Sequence, residues 1–489
     1  MNKQLRHIAV VTFVLFAVLL ASTTYTQYFD APKLQASKFN SRTLYKELGR
    51  DRGPILVDGT PIAQSVPSHD NYKYLRKYGG NGIDPEMYSA ITGVYSVIGK
   101  PTGLELAENA RLSGTADSLF FHKLSSLVTG TQPAGAAVSL TINPKAQKAA
   151  WDALGNQKGA AVAMDPKTGA ILAMVSKPGW DPNKVATHDT KAATNAYDAL
   201  IADENKPMYN RAIAGNLYPP GSTFKMIVAS AALESGNYTP DSTLPGPASI
   251  TLPHTSTQLR NDNRQACGAG DKVSLTHALA ISCNTAFASL GMDLGADAVR
   301  KQAQKFGFED NIDVPMPVTP STFPDDLNEA QLAQSSIGQF DVKATPMEMC
   351  MVAAAIANNG TEMVPNLVKT VRSSNSLDVL QRPSPQVYGN PISENTASEM
   401  TDMMEAVVQN GTATVAQIPG VKVAAKTGTA QNVAGAAPHA WFTSFAPADD
   451  PKVAVAVVVE HGGSAGSEST GARTAGPVAT AITKAVLNS

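Results

Sequence analysis

The chain has 489 residues, 43% of them hydrophobic, which is enough for at least two buried cores. Its net charge is −2 and it has no long basic run, which excludes an electrostatic footprint for nucleic acid. Three Cys without a C-x-x-C pair and eight His without H-E-x-x-H spacing leave no metal pattern and imply no cofactor.

The N-terminus "MNKQLRH" carries Lys3 and Arg6, and Ile8 to Phe29 then runs without a charge. That is about the length of a membrane span, roughly 20 residues. Basic residues ahead of it predict an inside N-terminus, with the bulk of the chain outside. Residues 1–7 are therefore expected as a cytoplasmic tail and 8–29 as a single-pass anchor in the cell membrane. Tyr25, Tyr28 and Phe29 read as an interfacial aromatic belt. The alternative is a signal peptide cleaved near Ala21-Ser22-Thr23.

Residues 30–135 are mixed in pattern. "RDRGPILVDGTPIA" (Arg50 to Ala63) predicts a short strand and turn, and "YKYLRKYGG" is rich in Tyr. No catalytic constellation occurs here, so a scaffold or spacer domain is expected.

From 136 to 489 the pattern changes. "AAVSLTINPKAQKAAWDAL" predicts a strand, then a helix opened by Asn143-Pro144. "GAAVAMDPKTGAILAMVSKP" predicts a hairpin turning at "DPKTG". Helical stretches are expected from Ser222 to about Ala298, over Thr345 to Gly360 and over Ser393 to Gly411, with "RPSPQVYGNP" a surface loop. "GVKVAAKTGTA", "HAWFTSFAP" and "KVAVAVVVE" predict three strands, and "GPVATAITKAVLN" a closing helix. A hairpin and three strands with helices between describe an α+β domain, its mixed or antiparallel sheet covered by helices.

Within this domain "PPGSTFKMIVASAALESGN" is apolar on all sides from Phe224 to Leu233, as a buried helix is, yet places Lys225 in the first turn. Ser222 is expected as the N-cap and Gly236 as the stop. In S-x-x-K the two side chains share one helical face. Serine needs a base, and a lysine in an apolar wall has a lowered pKa and can accept its proton. A helix N-terminus would also favour developing negative charge. An isolated S-x-x-K is more often a cap beside a snorkelling lysine. Here it is followed in order by Ser282-Cys283-Asn284 in "ISCNTAFASLG" and Lys426-Thr427-Gly428 in "AAKTGTAQ". Together these form the signature set of penicillin-binding proteins and serine β-lactamases.

The segment 136–489 resembles a penicillin-binding transpeptidase domain, on "YPPGSTFK", "GTATVAQIPGVKVAAKTGTAQ" and "HAWFTSFAP". "RGPILVDG" resembles a motif of the N-terminal pedestal in class B members. "YSAITGVYSVIGKPTGLE" is most similar to the actinobacterial penicillin-binding protein A group.

The resemblance implies a peptidoglycan D,D-transpeptidase of cell-wall synthesis, in cell division among other roles. Ser222 would attack the penultimate D-Ala carbonyl of a stem peptide ending in D-Ala-D-Ala, with Lys225 as base. Ser282 would relay a proton to the leaving amine, and Asn284 would orient Lys225 and the substrate amide. Lys426 would place charge near the terminal carboxylate, which Thr427 and Thr429 would hydrogen-bond. The N–H groups of Ser222 and Thr429 would form the oxyanion hole. Gly428 is expected to leave room for the substrate backbone to pair along the strand edge. A second stem peptide's amine would resolve the acyl-enzyme, and β-lactams would stall it. A membrane glycosyltransferase is the implied partner.

The alternatives are a D,D-carboxypeptidase or β-lactamase on the same fold, or a non-catalytic β-lactam sensor or scaffold. "GGSAG" fits G-x-S-x-G, but no His follows Ser464, so the triad of that motif cannot form in its order. Cys267 lies in a polar, Gly-rich stretch and Cys283 at the predicted cleft, whereas "MEMCMVAAAI" places Cys350 in a core. A Cys267–Cys283 disulfide is expected outside the membrane, the alternative being three free thiols.

Overall fold

The computed structural model describes residues 3–30, 48–80, 82–99, 101–116, 134–215, 217–373, 378–431 and 436–489. Met1 and Asn2 of the expected tail lie outside the described residues, as do 31–47, 81, 100 and 117–133 of the expected N-terminal domain.

Helix α1 (Lys3–Thr24) continues through a turn at Tyr25–Phe29. It is long and apolar enough to cross a membrane, and no residue of it is buried. Strands β1 (Ile55–Val57), β2 (Thr60–Pro67) and β3 (Tyr74–Tyr78) follow. Then come β4 (Ala137–Leu140), α2 (Pro144–Leu154), β5 (Gly159–Met164) and β6 (Ile171–Lys177). Asn143 caps α2 by accepting from two backbone N–H groups, and Pro144 opens it as expected.

The central helices are α3 (Lys225–Glu234), α4 (Asn284–Leu294) and α5 (Pro346–Ala357). After them come β7 (Val368–Arg372), β8 (Val379–Gln381), α6 (Glu394–Gln409), β9 (Ala424–Ala430), β10 (His439–Ala446), β11 (Val453–Val459) and α7 (Gly476–Leu487).

One sheet has the order β9-β10-β11-β5-β6, antiparallel throughout. Every residue of β5, β10 and β11 is buried, which accounts for runs such as "VAVAVVV" that show no alternation. Helices α2 and α7 pack together on this sheet, and α5 packs on β5, β10 and β11. Strands β9 and β6 are its two edges.

A second sheet has the order β8-β7-β4-β1-β2-β3, with β1 and β4 parallel. It joins the N-terminal strands to β4 and β7, which lie beyond residue 136 in sequence. Glu105 bridges Arg52, ahead of β1, and Arg76 of β3: one carboxylate oxygen takes Arg52 Nε at 2.5 Å and the other Arg76 Nε at 2.6 Å, all three side chains buried. Arg52 also reaches Asn109 Oδ1 and the Glu105 carbonyl, so its charge is paired and hydrogen-bonded.

Two expectations need correction. The helical stretch from Ser222 to Ala298 is broken between Ser235 and Ser274 by turns and short strand pairs, Thr243–Pro245 with Lys272–Ser274 and Ser249–Thr251 with Gln258–Arg260. Gly236, Pro240, Pro245, Pro247 and Pro253 supply the breaks. The "RPSPQVYGNP" loop contains a short strand, Val387–Gly389, paired with Glu362–Met363.

Candidate active site

Ser222 is not the N-cap. It lies inside a 3-10 turn, Gly221–Phe224, that feeds α3 at Lys225. Gly221 has φ +53, and a Cβ there would come within 2.9 Å of Thr429 O. Its N–H donates to Gly338 O at 2.9 Å, and Thr223 Oγ1 donates to Pro220 O at 2.7 Å. The turn is thus seated against β9. Trp441 of β10 holds it from behind, with Nε1 donating to Pro219 O at 2.9 Å.

Lys225 is fully buried. Its Nζ donates to Ser282 O and Asn284 Oδ1, both at 2.7 Å, and lies 3.3 Å from Ser282 Oγ. Among the described residues it makes no hydrogen bond to Ser222. Burial pushes its pKa well below the ordinary lysine range, the Lys426 charge pushes the same way, and Asp262 opposes both. Lys426, also fully buried, donates to Ser282 Oγ at 3.0 Å and to Thr427 O at 2.9 Å. Burial brings its pKa down to about 7, again opposed by Asp262. Two amines therefore flank one hydroxyl.

Ser282 itself has φ +60, a strained conformation for a residue with a side chain. It is fixed by backbone bonds from Ser282 N to Leu279 O and from Cys283 N to Ala278 O. Helix α4 begins at Asn284 without a side-chain cap from Cys283. Asn261 supplies the cap from a distant loop, its Oδ1 accepting from Asn284 N and Thr285 N at 3.0 Å each. A Cys267–Cys283 bridge ties that loop to the foot of α4, its Cα atoms 6.0 Å apart. Cys350 is free and buried in α5.

Thr427 and Thr429 line a cleft of about 460 Å³ together with Ser222 and Ser282. Gly428 lies between them on β9, where packing also calls for a bare backbone. A Cβ there would lie 3.0 Å from Pro220 O and from Trp441 Cβ, and 3.1 Å from Thr223 Cγ2. The bare backbone faces the turn that carries Ser222.

A family model described as the penicillin binding protein transpeptidase domain matches residues 159–487. The chain belongs to that family. A second model, the penicillin binding protein A dimerisation domain, matches residues 52–138. Across its full length the chain is 42% identical to the peptidoglycan D,D-transpeptidase PbpA of Mycolicibacterium smegmatis, covering 99% of that protein. It is 40% identical to PbpA of Mycobacterium tuberculosis, again over 100% of this chain and 99% of the relative. The structure of penicillin-binding protein A from M. tuberculosis as a ceftriaxone acyl-enzyme superposes with a TM-score of 0.86 at 39% identity, over 91% of this chain and 100% of that one. The fold is that of a penicillin-binding transpeptidase with an N-terminal dimerisation or pedestal domain.

In this transpeptidase fold three residues outside the signature motifs also shape the cleft. Asn261 and Asp262 hold Asn284, whose Nδ2 donates to Asp262 Oδ1 at 3.0 Å and to Arg260 O at 3.1 Å. Thr412 shares a 2.6 Å hydrogen bond with Thr427 Oγ1. Thr412 falls within "GTATVAQIPGVKVAAKTGTAQ", so its stretch carries a family signal. Asn261 and Asp262 act across more than twenty residues and carry no local one.

Proposed function

We propose that this chain is a class B peptidoglycan D,D-transpeptidase that works through an acyl-enzyme on Ser222. The observation that carries the reading is the pair of buried amines on Ser282, with Lys225 one turn after Ser222 and also held by Asn284. Its mycobacterial relatives bear the name peptidoglycan D,D-transpeptidase.

Ser222 Oγ attacks the penultimate D-Ala carbonyl of the donor stem peptide, and its proton passes to neutral Lys225. A neutral amine is available because burial disfavours the ammonium. The C–N bond to the terminal D-Ala then breaks. Ser282, hydrogen-bonded to both amines, carries a proton to the leaving nitrogen. Thr427 and Thr429 hydrogen-bond the donor's terminal carboxylate, Lys426 places positive charge near it from behind, and the N–H groups of Ser222 and Thr429 hold the oxyanion. Asn284 orients Lys225. An amine of a second stem peptide resolves the ester into a cross-link. β-Lactams acylate Ser222 and remain there.

Residues 1–7 are the cytoplasmic tail, 8–29 the anchor, 30–135 the pedestal and 136–489 the catalytic domain, which works outside the membrane beside a membrane glycosyltransferase. The basic tail and the apolar α1 support that orientation.

The test offers a D-Ala-D-Ala stem peptide and an amine acceptor to the full-length protein. A cross-linked product with released D-Ala, absent in Ser222→Ala, is expected. Release of D-Ala with the hydrolysed peptide alone would mark a carboxypeptidase instead, and no turnover with β-lactam binding retained would mark a sensor.

A further inference from the structure

The second substrate of a transpeptidase is an amine, and near neutral pH an aliphatic amine arrives mainly as an ammonium. The cleft that holds Ser222 has one ionisable side chain on its wall among the described residues, Asp262. Lys225 and Lys426 lie behind that wall, fully buried. Asp262 is exposed. Its Oδ1 accepts from Asn284 Nδ2 at 3.0 Å, and its other oxygen has no hydrogen-bond partner among the described residues. The Asn284 side chain thus spans the wall. Its Oδ1 takes the buried Lys225 Nζ at 2.7 Å, while its Nδ2 fixes the carboxylate at the cleft.

We propose that Asp262 is the acceptor subsite: it binds the ammonium of the second stem peptide and presents the amine to the acyl carbon on Ser222. The proposal rests on the transpeptidase reading above. A carboxylate held through one oxygen, its other oxygen unpartnered among the described residues, on the wall of a cleft lined by no other ionisable side chain, suits a cation. The donor has no ammonium at its D-Ala-D-Ala end, so the donor does not need this group.

The proton count closes. The acceptor R–NH3+ loses two protons as its N–C bond forms and the Ser222 Oγ–C bond breaks. One returns to Ser222 Oγ by way of Lys225. The other leaves to water past exposed Asp262.

The competing role for Asp262 is to offset the charge of the two lysines through space. Asp262→Asn separates the two roles, because Asn Oδ1 can still accept from Asn284 while the charge is gone. The full-length protein is given a D-alanyl thiolester donor at pH 7, with either an amino acid amide or methanol as acceptor. Penicillin acylation is timed in parallel.

In Asp262→Asn the ratio of aminolysis to hydrolysis should fall about tenfold, the worth of a hydrogen bond to a charged group. Methanolysis and penicillin acylation bring no cation and register only the effect of Asp262 on the two lysines, so aminolysis should fall about tenfold further than either. Asp262→Glu should recover part of the aminolysis. An unchanged aminolysis ratio overturns the proposal. So does an equal fall in all three rates, which would assign Asp262 to the lysines. Unaltered protein that is acylated by penicillin yet makes no amide would instead defeat the transpeptidase reading itself, and the proposal with it.

Discussion

Replacing Lys225 by Met removes one amine and keeps the length of the side chain. The amine has no exposure, and its three oxygen neighbours lie between 2.7 and 3.3 Å. Burial and the Lys426 charge favour its neutral form. Loss of a general base costs roughly 10²- to 10⁴-fold, so acylation by penicillin should slow by at least about 100-fold. The fold should survive. Ser282 O and Asn284 Oδ1 lose a donor, at about 1–3 kcal/mol each if left unpaired. Against this, a buried amine no longer has to be stripped of water. Lys225→Arg should be equally slow for another reason: a guanidinium stays protonated. It should also be less stable than the Met variant, because it forces a permanent charge into a buried site beside Lys426. The assay is a time course with a fluorescent penicillin, normalised to the folded fraction from a thermal melt. A Met variant that is folded and acylated within about tenfold of the parent would refute the role.

Glu362→Gln should stabilise the protein at alkaline pH. Glu362 is fully buried, neither of its carboxylate oxygens has a hydrogen-bond partner among the described residues, and burial together with Glu348 holds its pKa well above 4.5. A raised folded pKa means that the native state keeps the proton longer, so stability falls as pH rises above 4.5. The gain from Gln, read in urea melts, should be larger at pH 8 than at pH 5; a margin independent of pH would contradict this. Gly428→Ala should lower acylation while β9 stays folded, because the new Cβ pushes on Pro220 and Thr223 beside Ser222; parental rates would show that the turn yields freely. Reducing the Cys267–Cys283 bridge should cost on the order of 3 kcal/mol by the loop-entropy model, and should loosen the loop that carries Asn261 and Asp262; an unchanged melting curve with both thiols alkylated would end that claim.

The helix around Lys225, the β5–β6 hairpin and the three last strands of the sheet were legible because apolar pattern and turn residues agree there. Ser222, Ser282–Asn284 and Lys426–Thr429 were legible as short motifs in order. The N-cap at Ser222 was misread because spacing cannot separate a capped helix from a 3-10 lead-in set by Gly221. Gly428 was identified, but its partner lies on a turn some two hundred residues earlier in the chain. The joining of β4 and β7 to the N-terminal sheet was hidden for the same reason, since strand pairing at long range leaves no local mark. Asp262 reads in sequence as one more charge in a polar loop, and only the bond to Asn284 brings it to the cleft.

The measurement that tests the account most directly is intact mass after incubation with penicillin, followed by peptide mapping. The account predicts a gain of one penicillin per chain, carried on the peptide containing Ser222 and Lys225 and absent in Ser222→Ala. Full labelling of Ser222→Ala, or a label mapped to Ser282 or Ser464, would contradict it.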